Sequence, residues 1–278
     1  MAHSLVVVSG KGGVGKSAVT AALALRAQRE GRKVLVMAMA GGEGLAAHLS
    51  LTRLDYQPFE VRPGLFATAI DRSKALTEYL HVQLGVPAVA AFGPLARAFD
   101  VLASAAPAVR EVVTMGKVLW EVRRGAWDSV IVDAPPTGQI GSYLRAAGTI
   151  AELVPAGRVR DQATWMEQII ADRDHTRLVV VTLAEELPMN ETMETLAWMR
   201  QERLFPEILV NRILPPLPLP AGAKIPTGPA GEAALLHRAL ADEQEVWLKL
   251  TPTAVRLPYL FGLVTPAEVA AQLSEVAL

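Results

Sequence analysis

Leu5-Val6-Val7-Val8-Ser9-Gly10-Lys11-Gly12-Gly13-Val14-Gly15-Lys16-Ser17 runs a valine-rich stretch directly into a glycine-rich loop, and its reading decides the fold. A short, continuously apolar run that meets glycine at once is the pattern of a strand buried on both faces, as in a parallel sheet. A helix follows. From Lys16 to Glu30, Val19, Ala22, Leu23 and Ala27 recur at helical spacing, Arg26 and Arg29 lie off that stripe, and Gly31 is placed as a C-terminal cap.

Gly10, Gly15, Lys16 and Ser17 fit G-x-x-x-x-G-K-[ST], in the strand–loop–helix setting that the chemistry needs. Glycines let backbone N–H groups turn toward a phosphate without Cβ clashes, and the helix N-terminus adds partial positive charge. The motif therefore predicts that Gly10, Lys11, Gly12, Gly13, Val14, Gly15, Lys16, Ser17 and Ala18 surround the phosphates of ATP. Lys16 is expected on the β- and γ-phosphates, and the Ser17 hydroxyl on Mg²⁺. Asp133 ends the apolar run Ser129-Val130-Ile131-Val132, where a strand-tip carboxylate would hold the same Mg²⁺ through water. Pro135-Pro136-Thr137-Gly138 would then be a loop able to sense the γ-phosphate.

Working outward, Val34 to Ala38 reads as a second buried strand. Further apolar runs at Leu65 to Ile70, Leu178 to Leu183 and Ile208 to Val210 are separated by stretches long enough for crossover helices. The expectation is an α/β fold, a doubly wound, mostly parallel sheet with helices on both faces, spanning residues 1–278 as a single domain. Between Asp71 and Arg124 no strand pattern intrudes. Ala75 to Leu84, Leu95 to Leu102 and Val109 to Val122 suit helices, so a helical insertion is expected at about 72–124 over the sheet's C-terminal edge. A second helical stretch is expected at about 141–171. The prolines from Pro215 to Pro229 mark a loop, and final helices are expected from about Gly231 to Leu250 and Pro266 to Val276.

Composition narrows the function classes. The 51% hydrophobic content suits a sizeable core, and 27 basic against 28 acidic residues leave no global field for nucleic acid or an anionic membrane. Mean hydropathy is +0.28, yet the longest apolar stretch, Val86 to Ala96, is broken by Pro87, Gly93 and Pro94 and is too short to span a bilayer. The start, Met1-Ala2-His3-Ser4, lacks a basic flank, so the run after it reads as a core strand rather than a signal peptide. The absence of cysteine excludes disulfides, thiolate zinc sites and thiolate arsenite sites, and makes the cytoplasm the natural compartment.

The loop Lys11-Gly12-Gly13-Val14-Gly15-Lys16-Ser17 resembles the deviant Walker A of the signal-recognition/MinD class. The likeness is nearest to the arsenite-pump and tail-anchored-protein-targeting ATPases, the anion-transporting ATPases. Asp133-Ala134-Pro135-Pro136-Thr137-Gly138 is similar to their switch II, and Val181 to Pro188 with Asn190-Glu191-Thr192 to a strand-to-helix segment. Val210-Asn211-Arg212 is similar to their adenine-contacting segment, and Leu257-Pro258-Tyr259-Leu260 to a last strand flanking the base. The resemblance implies nucleotide contacts at Asn211 and Pro258. It also implies a dimer in which Lys11 reaches the second subunit's nucleotide, and a client protein governed by the ATP cycle, possessing in some members a hydrophobic segment. Leu76, Tyr79, Leu80 and Leu84, with Phe92, Leu95, Phe99 and Leu102, offer an apolar stripe for such a client or for packing on the sheet.

The chain also departs from that pattern. Where the family carries switch I carboxylates, one of which orients the attacking water, this sequence reads Val36-Met37-Ala38-Met39-Ala40-Gly41-Gly42-Glu43. Methionine at 39 cannot orient or deprotonate water, and Glu43 is a shifted carboxylate. Two readings follow from the resemblance: a slow, dimeric ATPase, with Lys11, Lys16 and Asp133 carrying phosphoryl transfer, or a degenerate nucleotide-sensing subunit of a heterodimer. A Par/Min-type partition ATPase would share the loop, but the sequence has no terminal basic amphipathic helix. Zinc and nucleic acid are not expected as ligands, and any membrane contact would be indirect.

Overall fold

Side chains of the first strand alternate between two apolar layers, Leu5 and Val7 into one and Val6 and Val8 into the other, and none of them is solvent-exposed. The computed structural model describes residues 4–84, 107–153, 156–217, 225, 227–262 and 264–276. In chain order its elements are β1 (Leu5–Gly10), α1 (Lys16–Arg29), β2 (Val34–Ala38), α2 (Glu43–His48), β3 (Phe59–Arg62), β4 (Leu65–Ala69), α3 (Arg72–Leu84), α4 (Pro107–Arg123) and β5 (Ser129–Asp133). They continue with α5 (Thr137–Leu153), α6 (Arg158–Ala171), β6 (Thr176–Leu183), α7 (Glu186–Gln201), β7 (Glu207–Ile213), α8 (Pro229–Leu248), β8 (Val255–Pro258) and α9 (Pro266–Leu273).

The strands form one 8-stranded sheet in the order β3-β4-β2-β5-β1-β6-β7-β8. All neighbours run parallel except the edge pair β3 and β4. The chain winds outward from β1 in both directions, so the loop leaving β1 lies at the topological switch point, where open α/β sheets receive ligands. One face is covered by α1 with α9, whose Ala21, Ala22 and Ala270 are buried with Val36 and Val181. On the other face Met115, Leu119, Ile140, Tyr143 and Met199 pack on Leu35, Val130 and Val180. This is the doubly wound α/β architecture expected, with helices on both faces.

Several elements differ from the sequence reading. The edge strand β3 was not anticipated because Phe59-Glu60-Val61-Arg62 is only half-buried and pairs through one antiparallel neighbour. The stretch expected at 141–171 is two helices; the first begins already at Thr137, and the second follows Gly157, whose φ of +99° suits glycine. The stretch 72–124 contains α4, whose Met115, Val118 and Leu119 belong to the buried layer on the sheet, so α4 serves as a cover helix of the sheet itself. Leu76 is buried against Tyr56, Ala75 and Val113. Phe92, Leu95, Phe99 and Leu102 lie outside the described residues, as does most of the proline-rich segment. Among the described residues no helix is long and apolar enough to cross a membrane.

Candidate functional site

Gly10 ends β1 where no other residue fits, since a Cβ there would stand 2.1 Å from the Val181 carbonyl oxygen of β6. The loop rejoins α1 at Gly15, whose backbone is left-handed (φ +98°) and whose missing Cβ leaves room for Asn211 Nδ2. Asn211, buried on β7, donates from Nδ2 to the Val14 carbonyl at 2.9 Å, while its Oδ1 accepts the Arg212 amide at 2.9 Å. Arg212 is itself left-handed at φ 58°, and it sits where the β7–β8 register shifts between Val210 and Ile213. Its guanidinium donates to the Gly13 carbonyl at 3.2 Å. A non-glycine residue in this region costs about 1 kcal/mol or more and persists where its surroundings demand it. Here the demand is the brace of β7 on the glycine loop.

Inside the loop, Lys16 Nζ donates to the Lys11 carbonyl at 3.0 Å. Burial lowers the proton affinity of its ammonium, and the Asp133 charge opposes that shift. Ser17 Oγ donates to Asp133 Oδ2 at 2.6 Å. Burial pushes the Asp133 carboxyl above its ordinary value, with the Ser17 hydrogen bond and the Lys16 and His48 charges pulling the other way. Two bonds fix the chain around Asp133: Ala134 N donates to the Val8 carbonyl at 2.9 Å, and Ser9 Oγ to the Pro135 carbonyl at 2.7 Å. From the other side α2 presses in at Gly44, where a Cβ would lie 3.1 Å from Ser17 Oγ. A hydroxyl and a carboxylate so close together, beside a lysine and inward-turned amides, are hard oxygen donors of the kind Mg²⁺ takes. The residues fit that ion.

The remaining expected positions divide. Gly12 and Gly13 are exposed on the loop, Val14 is buried beneath it, and Ala18 is buried in the first turn of α1. Lys11 Nζ donates to Glu191 Oε1 on α7 at 2.6 Å, so its ammonium is paired within its own chain. Met39 is 1% exposed and packs in the layer that holds Leu35 and Met37, its amide donating to the Asp133 carbonyl at 3.0 Å. Glu43 opens α2 and is exposed. Pro258 ends β8 opposite Ile213, one strand outside the Asn211 brace. Sequence reasoning gave no role to Glu191, Arg212 or Gly44, although the first two stand in segments it singled out. A residue number carries no sign of a left-handed arginine or of a partner far along the chain.

The model of the anion-transporting ATPase family matches residues 3–154. The ATPase BagA of Mycobacterium tuberculosis is 34% identical over 227 residues, covering 76% of this chain and 65% of the relative. An ATPase GET3 of Podospora anserina is 26% identical over 141 residues, 50% of this chain and 42% of the relative. A putative arsenical pump-driving ATPase of Prosthecochloris vibrioformis is 23% identical over 252 residues, 76% of this chain and 61% of the relative. This chain thus spans about 65% of the length of the first of these. With the glycine loop and Asp133 inside the matched region, the chain belongs to the anion-transporting ATPase family.

Proposed function

We propose that this chain binds ATP with Mg²⁺ at the glycine loop and hydrolyses it slowly, as a nucleotide-gated dimer that controls a partner protein in the cytoplasm. The observation that carries this reading is the 2.6 Å contact of Ser17 Oγ with Asp133 Oδ2, set beside Lys16 at the mouth of a loop braced from β7. Mg²⁺ held by Ser17 and Asp133 would supply charge to neutralise the phosphate oxygens. Lys16 releases the Lys11 carbonyl to meet the β- and γ-phosphates, and the amides of Gly12, Gly13 and Gly15 hold them in line. Lys11 completes the site of the second subunit and stabilises the transferred phosphoryl group, as an arginine finger does. Pro258 flanks the base. Asn211 acts as the loop's brace rather than as a base contact, its amide being committed to Val14.

Slow turnover follows from switch I. From Met39 to Gly42 no carboxylate is present, so water is oriented by weaker groups while charge stabilisation remains intact. The same observation favours a second reading, in which the chain is the nucleotide-sensing half of a heterodimer and turns over little by itself.

The test measures ATPase rate and light-scattering mass, with and without ATP, for the wild type, Lys11→Ala and Lys16→Ala. The first reading requires an ATP-dependent dimer, turnover lost in both variants, and ATP binding lost only with Lys16→Ala. Tight ATP binding with no turnover in the isolated protein would overturn the homodimeric enzyme and support the sensing subunit.

A further inference from the structure

Helix α8 is poorly covered for its length: of the residues from Pro229 to Leu248 only Gly231 and Leu248 are buried. Its far end is fixed. Trp247 and Leu248 pack with Val210 and Ile213, and Gln244 clamps β7 by donating to the Arg212 carbonyl at 3.0 Å and accepting the Leu214 amide at 2.9 Å. The preceding turns carry Leu236 and Leu240, which are 62% and 44% exposed. They face a cleft of about 520 Å³ whose opposite wall is Tyr259 and Phe261, two rings with centroids 4.8 Å apart. His237 lies along the Phe261 ring at 6.1 Å. Exposed leucines and aromatic rings gathered around one cleft are a site for an apolar, planar ligand, and the volume is that of a small-molecule pocket.

Arg212 says which ligand. It lines the cleft, yet its guanidinium is bound to the Gly13 carbonyl of the glycine loop. The cleft is therefore continuous with the phosphate site through a single side chain. A nucleotide held by its phosphates at the loop projects its base toward that wall.

We propose that the base of the bound nucleotide enters this cleft between the Tyr259–Phe261 pair and Leu236 with Leu240, and that the base, not the phosphates, draws the free turns of α8 down as a roof. The inference rests on the nucleotide reading above and adds to it a device: α8 reports whether the ligand has a base. Leu236 and Leu240 are its positioning residues, and Arg212 is the joint between the two subsites.

The experiment compares ATP with inorganic tripolyphosphate, which offers the phosphates without a base. Binding is measured by calorimetry, and backbone hydrogen exchange is followed across 229–243, for the wild type, Lys16→Ala and the surface double variant Leu236→Ser/Leu240→Ser. ATP should protect the free turns of α8 in the wild type and tripolyphosphate should not. The double variant should bind ATP about tenfold more weakly with tripolyphosphate affinity unchanged, the latter certifying an intact loop. Equal protection of α8 by both ligands, or ATP affinity untouched in the double variant, overturns the roof while leaving the nucleotide reading in place. Protection that depends on protein concentration and not on ATP assigns the leucines to a second copy of the chain, and also overturns it. Wild type that binds neither ligand, or binds both regardless of Lys16→Ala, overturns the nucleotide reading and the roof with it.

Discussion

The ammonium of Lys11 is held 2.6 Å from Glu191 Oε1, so the lysine that the family resemblance sends to a second subunit is here tied to its own α7. The side chains are 30% and 44% exposed. An ion pair so open to solvent contributes at most about 1 kcal/mol, and it is weakened by salt. It acts as a light latch, strong enough to bias Lys11 and weak enough for a phosphate to break. Glu191→Gln should therefore raise the ATP turnover of the dimer, by up to about fivefold at low salt, with the gain shrinking as salt rises. Combining it with Lys11→Ala should abolish the gain. Steady-state rates of the two single variants and the double variant check this.

Asn211 offers a direct test of brace against base contact. Val14 is buried, so losing the Asn211 amide strands the Val14 carbonyl. That should cost about 1–3 kcal/mol of stability. Asn211→Ala should lower the denaturation midpoint accordingly and weaken ATP and tripolyphosphate alike, because the loop itself loosens. A variant that loses ATP affinity while keeping tripolyphosphate affinity would return Asn211 to the base.

What the sequence made legible followed from short-range rules. A double-faced apolar strand, a glycine loop of fixed spacing and a strand-tip aspartate can each be read within a few residues, and Ser17 and Asp133 meet as those rules require. The features that escaped are of two physical kinds. Arg212 adopts a conformation that only tertiary contacts enforce, and nothing in its neighbours announces it. Lys11 and Glu191 stand 180 residues apart, joined only when α7 docks beside β6. Edge strand β3 was missed for a third reason: four half-buried residues give too little periodicity to read.

Beneath α3 lies a charged network whose pH dependence can be given a sign. Lys117 Nζ donates to both carboxylate oxygens of Glu78 at 2.9 Å and to Glu121 Oε1 at 2.8 Å, and Trp127 Nε1 donates to Glu121 Oε2 at 3.0 Å. Tyr56 donates to Glu78 from the other side. Burial opposes the Glu121 charge, but the Lys117 and Trp127 hydrogen bonds and the Lys117 and Arg124 charges outweigh it and hold the carboxyl below its ordinary value. A carboxyl depressed in the folded state adds stability above its unfolded value, and that stability is lost as pH falls through the folded one. Melting temperature should thus fall with acidification below about pH 4.5, the ordinary glutamate value, and Glu121→Gln should remove part of that slope. At neutral pH the substitution should cost about 3 kcal/mol, as expected for breaking a buried pair. Thermal melts across pH for both proteins measure it.

The alternation of β2 decides where a missing carboxylate could be restored. Leu35, Met37 and Met39 point into one apolar layer and Val34, Val36 and Ala38 into the other. Met39 therefore faces the core, and Ala40, exposed just beyond the strand, is the nearer position to the water side of the site. Met39→Asp buries a charge without a partner and should destabilise the protein by several kcal/mol without restoring turnover. Ala40→Asp places the same carboxylate where it stays hydrated, so it should fold like the wild type and raise the rate constant for ATP hydrolysis by about tenfold or more, with ATP affinity little changed. Paired melts and single-turnover rates separate the two. An Ala40→Asp variant that folds, binds ATP and is no faster would show that the slow step is set by the Lys11 latch rather than by water.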